Sequence, residues 1–123
     1  MIVDDSPGFL AAADRLLRRE GVIVAGIAAS GEEAMRQVAR LHPDVVLVDI
    51  DLGGESGLEL TERLHRQATG TPVRTILIST HAEQDYRDLI AASPAIGFLP
   101  KATLCARAII DLLGDGAAGS RGT

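Results

Sequence analysis

Short apolar runs alternate with longer amphipathic stretches along this chain, and the alternation sets the expected architecture. Five runs read as strands, at residues 2–3, 22–27, 45–48, 73–78 and 96–99. Most are continuous aliphatic or β-branched runs, the mark of strands buried on both faces. Helix signals fill the gaps. Ser6 before Pro7 is an N-cap and first-turn pair, and that helix should end near Gly21. Ser30 with Glu33, Ser56 with Glu59, and Thr80 with Glu83 fit the capping box, in which a hydroxyl and a carboxylate satisfy free N–H groups reciprocally. Thr103 is a weaker cap for the last helix. Gly70 and Gly114 are placed to close the third and fifth helices, and Pro43 follows the second.

Five strands and five helices in strict alternation imply right-handed βαβ units and a parallel sheet covered on both sides. The 123 residues suit one domain with one core, at residues 1–113. Aromatics make up only 2%, so the core must be aliphatic. The first strand is short, with only Met1 to Val3 ahead of an acidic pair. Residues 114–123 hold four glycines and little apolar material, and are expected to be a flexible tail or the start of a linker.

Charge and cysteine usage narrow the function. The net charge of −5 argues against a non-specific nucleic-acid surface, which needs clustered positive charge. Arg15, Arg18 and Arg19 form the one dense basic cluster and read most simply as a solvated helix face. No apolar run approaches the ~20 residues of a membrane span, and no secretory signal pattern is present. The single Cys105 excludes an intramolecular disulfide. Together these favour the cytoplasm. His42, His65 and His81 lie on separate segments without metal-ligand spacing, which argues against zinc.

The candidate chemistry lies at strand ends. The first strand runs into Asp4 and Asp5, the third into Asp49, the fourth into Ser79 and Thr80, and the fifth into Lys101, the chain's one lysine. Parallel α/β sheets bind ligands at the carboxyl ends of their strands. Carboxylates, hydroxyls and an ammonium gathered there suit a divalent cation and a phosphoryl group. Alone, the acidic pair would pass as a turn or cap, and Lys101 as a surface lysine; their joint placement on four strand ends reverses that reading.

With these motifs in order the chain resembles the receiver domain of two-component response regulators. The matching residues are Val3-Asp4-Asp5-Ser6, Val48-Asp49-Ile50-Asp51-Leu52, Gly57, Ser79-Thr80 and Gly97-Phe98-Leu99-Pro100-Lys101, spread over residues 1 to about 113. The wording after Asp49 looks most like receivers joined to helix-turn-helix outputs. The resemblance implies a flavodoxin-like (βα)5 doubly wound sheet of order 2-1-3-4-5. It implies Asp49 as phosphoacceptor, an aspartate nucleophile forming an acyl phosphate. It further implies Mg²⁺ held by Asp5 and Asp49 directly, by the Asp51 backbone carbonyl, and by Asp4 through water. Ser79 and Lys101 would contact phosphoryl oxygens, and Ser79 with Phe98 would form the switch.

Some positions depart from the family pattern. Ala102 stands after Lys101 where proline is common, so a trans peptide is expected there. Gly53 also replaces a common proline and loosens the loop after the acceptor. Asp51 and His81 occupy positions that tune phosphoryl lifetime in the family.

The implied partner is a histidine kinase or phosphotransfer protein docking on the first helix, whose apolar residues include Phe9, Leu10, Ala13 and Leu17. The fourth helix, fifth strand and fifth helix, with Tyr86, Arg87, Asp88, Arg107 and Asp111, would form the output face and support a homodimer. No contact with nucleic acid or membrane is expected of this domain. The preferred function is a phosphorylation-controlled switch with weak self-dephosphorylation, not an enzyme acting on a free metabolite. It would serve either an output domain outside this chain, controlling transcription, or a stand-alone regulator. A phosphorylation-independent binding module is a further alternative. Asp49-Ile50-Asp51 also resembles the D-x-D of haloacid-dehalogenase-like phosphatases, but Gly53 stands where those need a hydroxyl or small β-branched residue, and their motif lies on the first strand.

Overall fold

The computed structural model describes residues 1–67, 73–81 and 83–120, apart from the side chains of residues 83 and 115–120. Five strands, β1 (Ile2–Val3), β2 (Ile27–Ala28), β3 (Val45–Asp49), β4 (Arg74–Ser79) and β5 (Gly97–Pro100), alternate with α1 (Pro7–Arg19), α2 (Gly31–Leu41), α3 (Gly57–Gln67), α4 (Arg87–Ala92) and α5 (Ala106–Ser120). Short 3₁₀ turns at Glu83–Asp85 and Lys101–Thr103 precede the last two helices. All strand pairs are parallel, in the order β2-β1-β3-β4-β5. This is the doubly wound arrangement expected above.

The apolar residues divide between the two faces of the sheet. Val3, Val46, Val48 and Leu77 join Ala34, Leu60, Leu64 and Phe98 in one buried cluster. Ile2, Leu47, Ile76 and Ile78 join Leu10, Ala13, Leu17 and Ile109 in the other. Successive strand residues point to opposite faces, so a strand covered on both sides must be apolar throughout. Val46 and Val48 accordingly serve one cluster and Leu47 the other.

The helix starts follow local hydrogen bonding. Ser6, Ser30 and Ser56 hydroxyls accept from the N–H groups of Phe9, Glu33 and Glu59 at 3.2–3.3 Å. Each satisfies one of the N–H groups that a helix leaves free at its first turn. His42 ends α2 in the left-handed conformation, φ 49°, just before Pro43.

Several boundaries differ from the sequence expectation. β2 covers Ile27–Ala28, not 22–27, because its ladder partner β1 is only two residues long. Ile23 is 91% exposed, while Val24 turns into the core. Thr80 does not cap α4; the chain makes a 3₁₀ turn first and α4 starts at Arg87 after Tyr86. None of the six residues of α4 is fully buried, and only half-buried Ile90 packs on the core, which is little support for a longer helix. Thr103 does not cap α5: its hydroxyl donates to Pro100 O within the 3₁₀ turn. The cap is Cys105, whose Sγ accepts from Ala108 N at 3.4 Å. Nor does Gly114 stop α5, which continues to Ser120. A glycine inside a helix costs about 1 kcal/mol relative to alanine, which weakens the helix without breaking it. Gly70 and residues 121–123 lie outside the described residues.

Candidate phosphoacceptor site

β1, β3 and β5 bring their carboxyl ends to one edge of the sheet. Val3 pairs in register with Val48, and Asp49 with Ile78. Asp4, Asp5 and Asp49 therefore converge, each offering a carboxylate oxygen within 4.8 Å of the others. Asp4 is fully buried and Asp49 nearly so, while Asp5 is exposed. Lys101 reaches in from the end of β5. Its Nζ lies 2.6 Å from Asp4 Oδ2 and donates to Asp49 Oδ2 at 3.0 Å.

The two Asp4 oxygens are treated differently. Oδ1 accepts from Ser6 N at 2.9 Å. Oδ2 is buried and faces the Lys101 ammonium at 2.6 Å, with no other polar partner among the described residues. An oxygen in that condition retains capacity for a further cation. Burial pushes the Asp49 carboxyl above its ordinary value, and the bonds from Lys101 and Asp51 N–H oppose that only in part. Burial opposes charge on Lys101 as well, but the Asp4 and Asp49 carboxylates outweigh it and raise its pKa. Two buried carboxylates and one buried ammonium thus leave the pocket short of positive charge. Exposed Asp5 adds to the deficit at the rim. These oxygens fit a hard divalent cation, which takes oxygen ligands and few protein carboxylates.

The loop after β3 is folded against the site. Asp51 N–H donates to Asp49 Oδ1 at 3.1 Å. Asp51 also faces Ser56 in an antiparallel bridge, flanked by Gly57 N→Ile50 O and Leu52 N→Glu55 O bonds. In such a pair both backbone groups of the central residue point away from the partner. The Asp51 carbonyl thus lies on the side its N–H has shown to be the acidic pocket. Gly53 holds φ 62°, and a Cβ there would run into Asp5 Oδ2. The left-handed conformation favours glycine there, and any larger residue would also displace the exposed Asp5 carboxylate. The proline common at this position has φ near −65° and could not adopt it.

Ser79 sits at the end of β4, buried, in register with Pro100. Its hydroxyl accepts from His81 N–H at 3.0 Å and lies 3.5 Å from His81 Nδ1. No hydrogen bond joins it to Asp49 among the described residues. Phe98 is buried in the same cluster as Leu77, with half-buried Tyr86 and Ile90 packed against it. The described peptide bonds are all trans, so the chain passes from Lys101 to Ala102 as expected.

Three contacts escaped the sequence reading. Phe9 places its ring 4.5 Å from Lys101 Nζ. Glu55 Oε2 accepts from Gly31 N at 2.9 Å, tying the loop after β3 to the start of α2. Glu20 Oε1 accepts from Ala106 N at 2.7 Å, joining the end of α1 to the start of α5. The last two span 24 and 86 residues, and no local pattern encodes them. Phe9 did leave a signal, since an apolar residue one turn after the Ser6 cap must lie near the strand end that precedes it.

Comparison with known proteins agrees with this geometry. The response regulator receiver domain family model matches residues 1–111. A protein-glutamate methylesterase/protein-glutamine glutaminase of Syntrophus aciditrophicus is 35% identical over 111 residues, covering 87% of this chain and 31% of that protein. The DNA-binding transcriptional activator EvgA of Escherichia coli is 31% identical over 102 residues, covering 82% of this chain and 48% of EvgA. The chain thus spans about a third to a half of the length of these curated relatives. Among solved structures, the signal receiver domain of the response regulator NarL from Mycobacterium tuberculosis superposes with a TM-score of 0.79 at 30% identity, covering 89% of this chain and 90% of that one. By sequence, topology and the acidic pocket at its strand ends, the chain belongs to the response regulator receiver domain family.

Proposed function

We propose that Asp49 accepts a phosphoryl group from a histidine kinase or phosphotransfer protein in a Mg²⁺-dependent transfer. The observation that carries this is the meeting of Asp4, Asp5 and Asp49 with Lys101 at one edge of the sheet. An Asp49 carboxylate oxygen attacks phosphorus, and the P–N bond to the donor imidazole breaks with its electron pair left on the ring nitrogen. The product is an acyl phosphate. Bound Mg²⁺ supplies the positive charge that lets a phosphoryl group approach three carboxylates. Asp5, Asp49 and the Asp51 carbonyl are the proposed direct ligands, with Asp4 acting through water. Lys101 leaves its contact with Asp49 Oδ2 to meet a phosphoryl oxygen, keeping its hold on Asp4. Ser79 turns its hydroxyl from His81 N–H toward a second phosphoryl oxygen. Such donors stabilise the charge spread over the transferring group.

Movement of Ser79 and a matching adjustment of Phe98 would carry the signal to the face built from α4, β5 and α5. Leu89 on α4, Ile96 ahead of β5 and Ile110 on α5 are 55%, 41% and 58% exposed. These side chains would be part of the surface that a homodimer or an output domain covers. Arg107 and Asp111 pair with each other on α5 at 3.3 Å, leaving that surface near neutral. EvgA is a DNA-binding transcriptional activator. Its similarity supports transcription as the process controlled, through an output region outside this chain. A stand-alone regulator is the second reading. Cytoplasmic placement follows from both. Among the described residues no helix is long and apolar enough to cross a membrane.

Intact mass after incubation with Mg²⁺ and phosphoramidate tests the acceptor. A single ~80 Da adduct in the wild type and none in Asp49→Asn is expected. An adduct of equal yield in both would remove Asp49 from the role.

A further inference from the structure

We propose that Phe9 is a positioning residue for phosphoryl transfer, holding the Lys101 ammonium in place through the face of its ring. The inference rests on the role given above to Lys101. A lysine ammonium has three N–H donors. One side of Lys101 Nζ meets Asp4 Oδ2 at 2.6 Å and another meets Asp49 Oδ2 at 3.0 Å. The Phe9 ring, with its centroid 4.5 Å away, lies on a further side. That distance is within the ~6 Å over which an aromatic face attracts a cation, and the attraction grows when water is excluded. Here the lysine side chain is only 13% exposed. The ring therefore supplies both attraction and cover.

The local chain fixes the ring there. Ser6 N–H donates to Asp4 Oδ1 at 2.9 Å, and Phe9 N–H donates to Ser6 Oγ at 3.3 Å. These two bonds tie the first turn of α1 to the carboxylate that Lys101 also grips. Phe9, Asp4 and Lys101 thus form one unit, built by residues 4–9 around a side chain from position 101. Charge alone does not specify where the ammonium sits, since the carboxylates of Asp4, Asp5 and Asp49 lie within 4.8 Å of one another. The ring face favours the position in which the ammonium meets Asp4 and Asp49. From there the ammonium needs only a small movement to meet a phosphoryl oxygen on Asp49.

Lys101 is the chain's single lysine, so lysine labelled with ¹³C at Cε gives one resonance that reports on it alone. The wild type, Phe9→Tyr and Phe9→Leu would be compared. Leucine keeps an apolar cover of similar size but has no π face. The wild type and Phe9→Tyr should show Lys101 Hε signals moved upfield by the ring current, and Phe9→Leu should not. Phosphorylation by phosphoramidate at saturating Mg²⁺ should slow about 2- to 30-fold in Phe9→Leu and stay near wild type in Phe9→Tyr. Unshifted Hε signals in the wild type, or an unchanged rate in Phe9→Leu, would overturn the proposal. If no variant is phosphorylated, the phosphoacceptor reading fails, and the Hε signals still decide whether Phe9 holds Lys101.

Discussion

Gly57→Ala should destabilise this protein severely, although the change adds one methyl group and favours helix. Gly57 opens α3 and donates its N–H to Ile50 O at 2.7 Å, which brings the helix start against the backbone that follows the acceptor. A Cβ at position 57 would overlap the Asp49 carbonyl oxygen, and would lie 2.7 Å from the Asp49 carbonyl carbon and 2.9 Å from Ile50 Cα. All three are backbone atoms of a central strand or its continuation, so none can rotate away. Restoring ordinary contact requires a shift of about 1.5 Å, enough to break the Gly57–Ile50 bond and to lift Leu60 and Leu64 from the core. Overpacking of this kind costs about 1–3 kcal/mol, and an orphaned buried backbone group costs about 1–3 kcal/mol more. Alanine's better helix propensity returns at most about 1 kcal/mol. The net loss is about 1–5 kcal/mol, centred near 3, from a total of about 5–15 for a domain of this kind. At a urea slope of about 2 kcal/mol/M, the midpoint should fall by about 0.5–2.5 M, centred near 1.5 M. The assay is urea unfolding followed by far-UV circular dichroism. A midpoint within about 0.3 M of the wild type would refute the close-approach argument.

Further predictions concern the pocket and the switch. Lys101→Met should tighten Mg²⁺ binding measured by calorimetry, because the ammonium and a divalent cation compete for Asp4 and Asp49 oxygens, while slowing phosphorylation; weaker Mg²⁺ binding would contradict that competition. Lys101 has a raised folded-state pKa, so its contribution to metal-free stability is complete below the ordinary lysine value of 10.5 and lost as pH rises through the higher folded value. Asp49 acts in the same direction in a lower pH window. Its folded-state pKa is raised too, so for an acid the folded form is favoured by protonation, and stability falls as pH climbs from the ordinary 3.8 through the raised value. Asp49→Asn should therefore raise the metal-free urea midpoint at neutral pH and flatten this pH dependence; a lower midpoint would show that the ionised carboxylate stabilises the fold. Phe98→Ala should lower stability by about 3–5 kcal/mol. Its phosphorylation yield should stay largely intact while amide shifts in α4 and β5 on phosphorylation shrink; equal loss of both would remove Phe98 from the switch.

The sheet and the acidic pocket were legible because both are written locally. Continuous apolar runs mark strands buried on both faces, and the residues just past them must emerge at the carboxyl edge. Asp4, Asp49 and Lys101 could thus be placed together from strand ends alone, and the structure puts their charged atoms within 3.0 Å of Lys101 Nζ. What was not legible depends on partners distant in sequence. The run at 22–27 carries strand-forming residues, yet the ladder stops where two-residue β1 stops. Thr80 and Thr103 have the chemistry of caps, but 3₁₀ turns intervene before α4 and α5. Cys105 took the cap at α5 because its position, one residue before the helix, outweighed the weaker acceptor strength of sulfur. The Phe9–Lys101 contact combines the two cases. The cap at Ser6 fixes where the ring goes, but only the assembled sheet shows what lies beneath it.

The central claim is that Asp49 becomes an acyl phosphate. Borohydride reduces an acyl phosphate to the alcohol, so trapping the protein after reaction with phosphoramidate and Mg²⁺, then mapping peptides by mass spectrometry, locates the modified side chain. The account predicts homoserine at position 49 and at no other aspartate, with none formed when Mg²⁺ is chelated. Homoserine at Asp4, Asp5 or Asp51 instead, or its appearance at position 49 regardless of Mg²⁺, would contradict it.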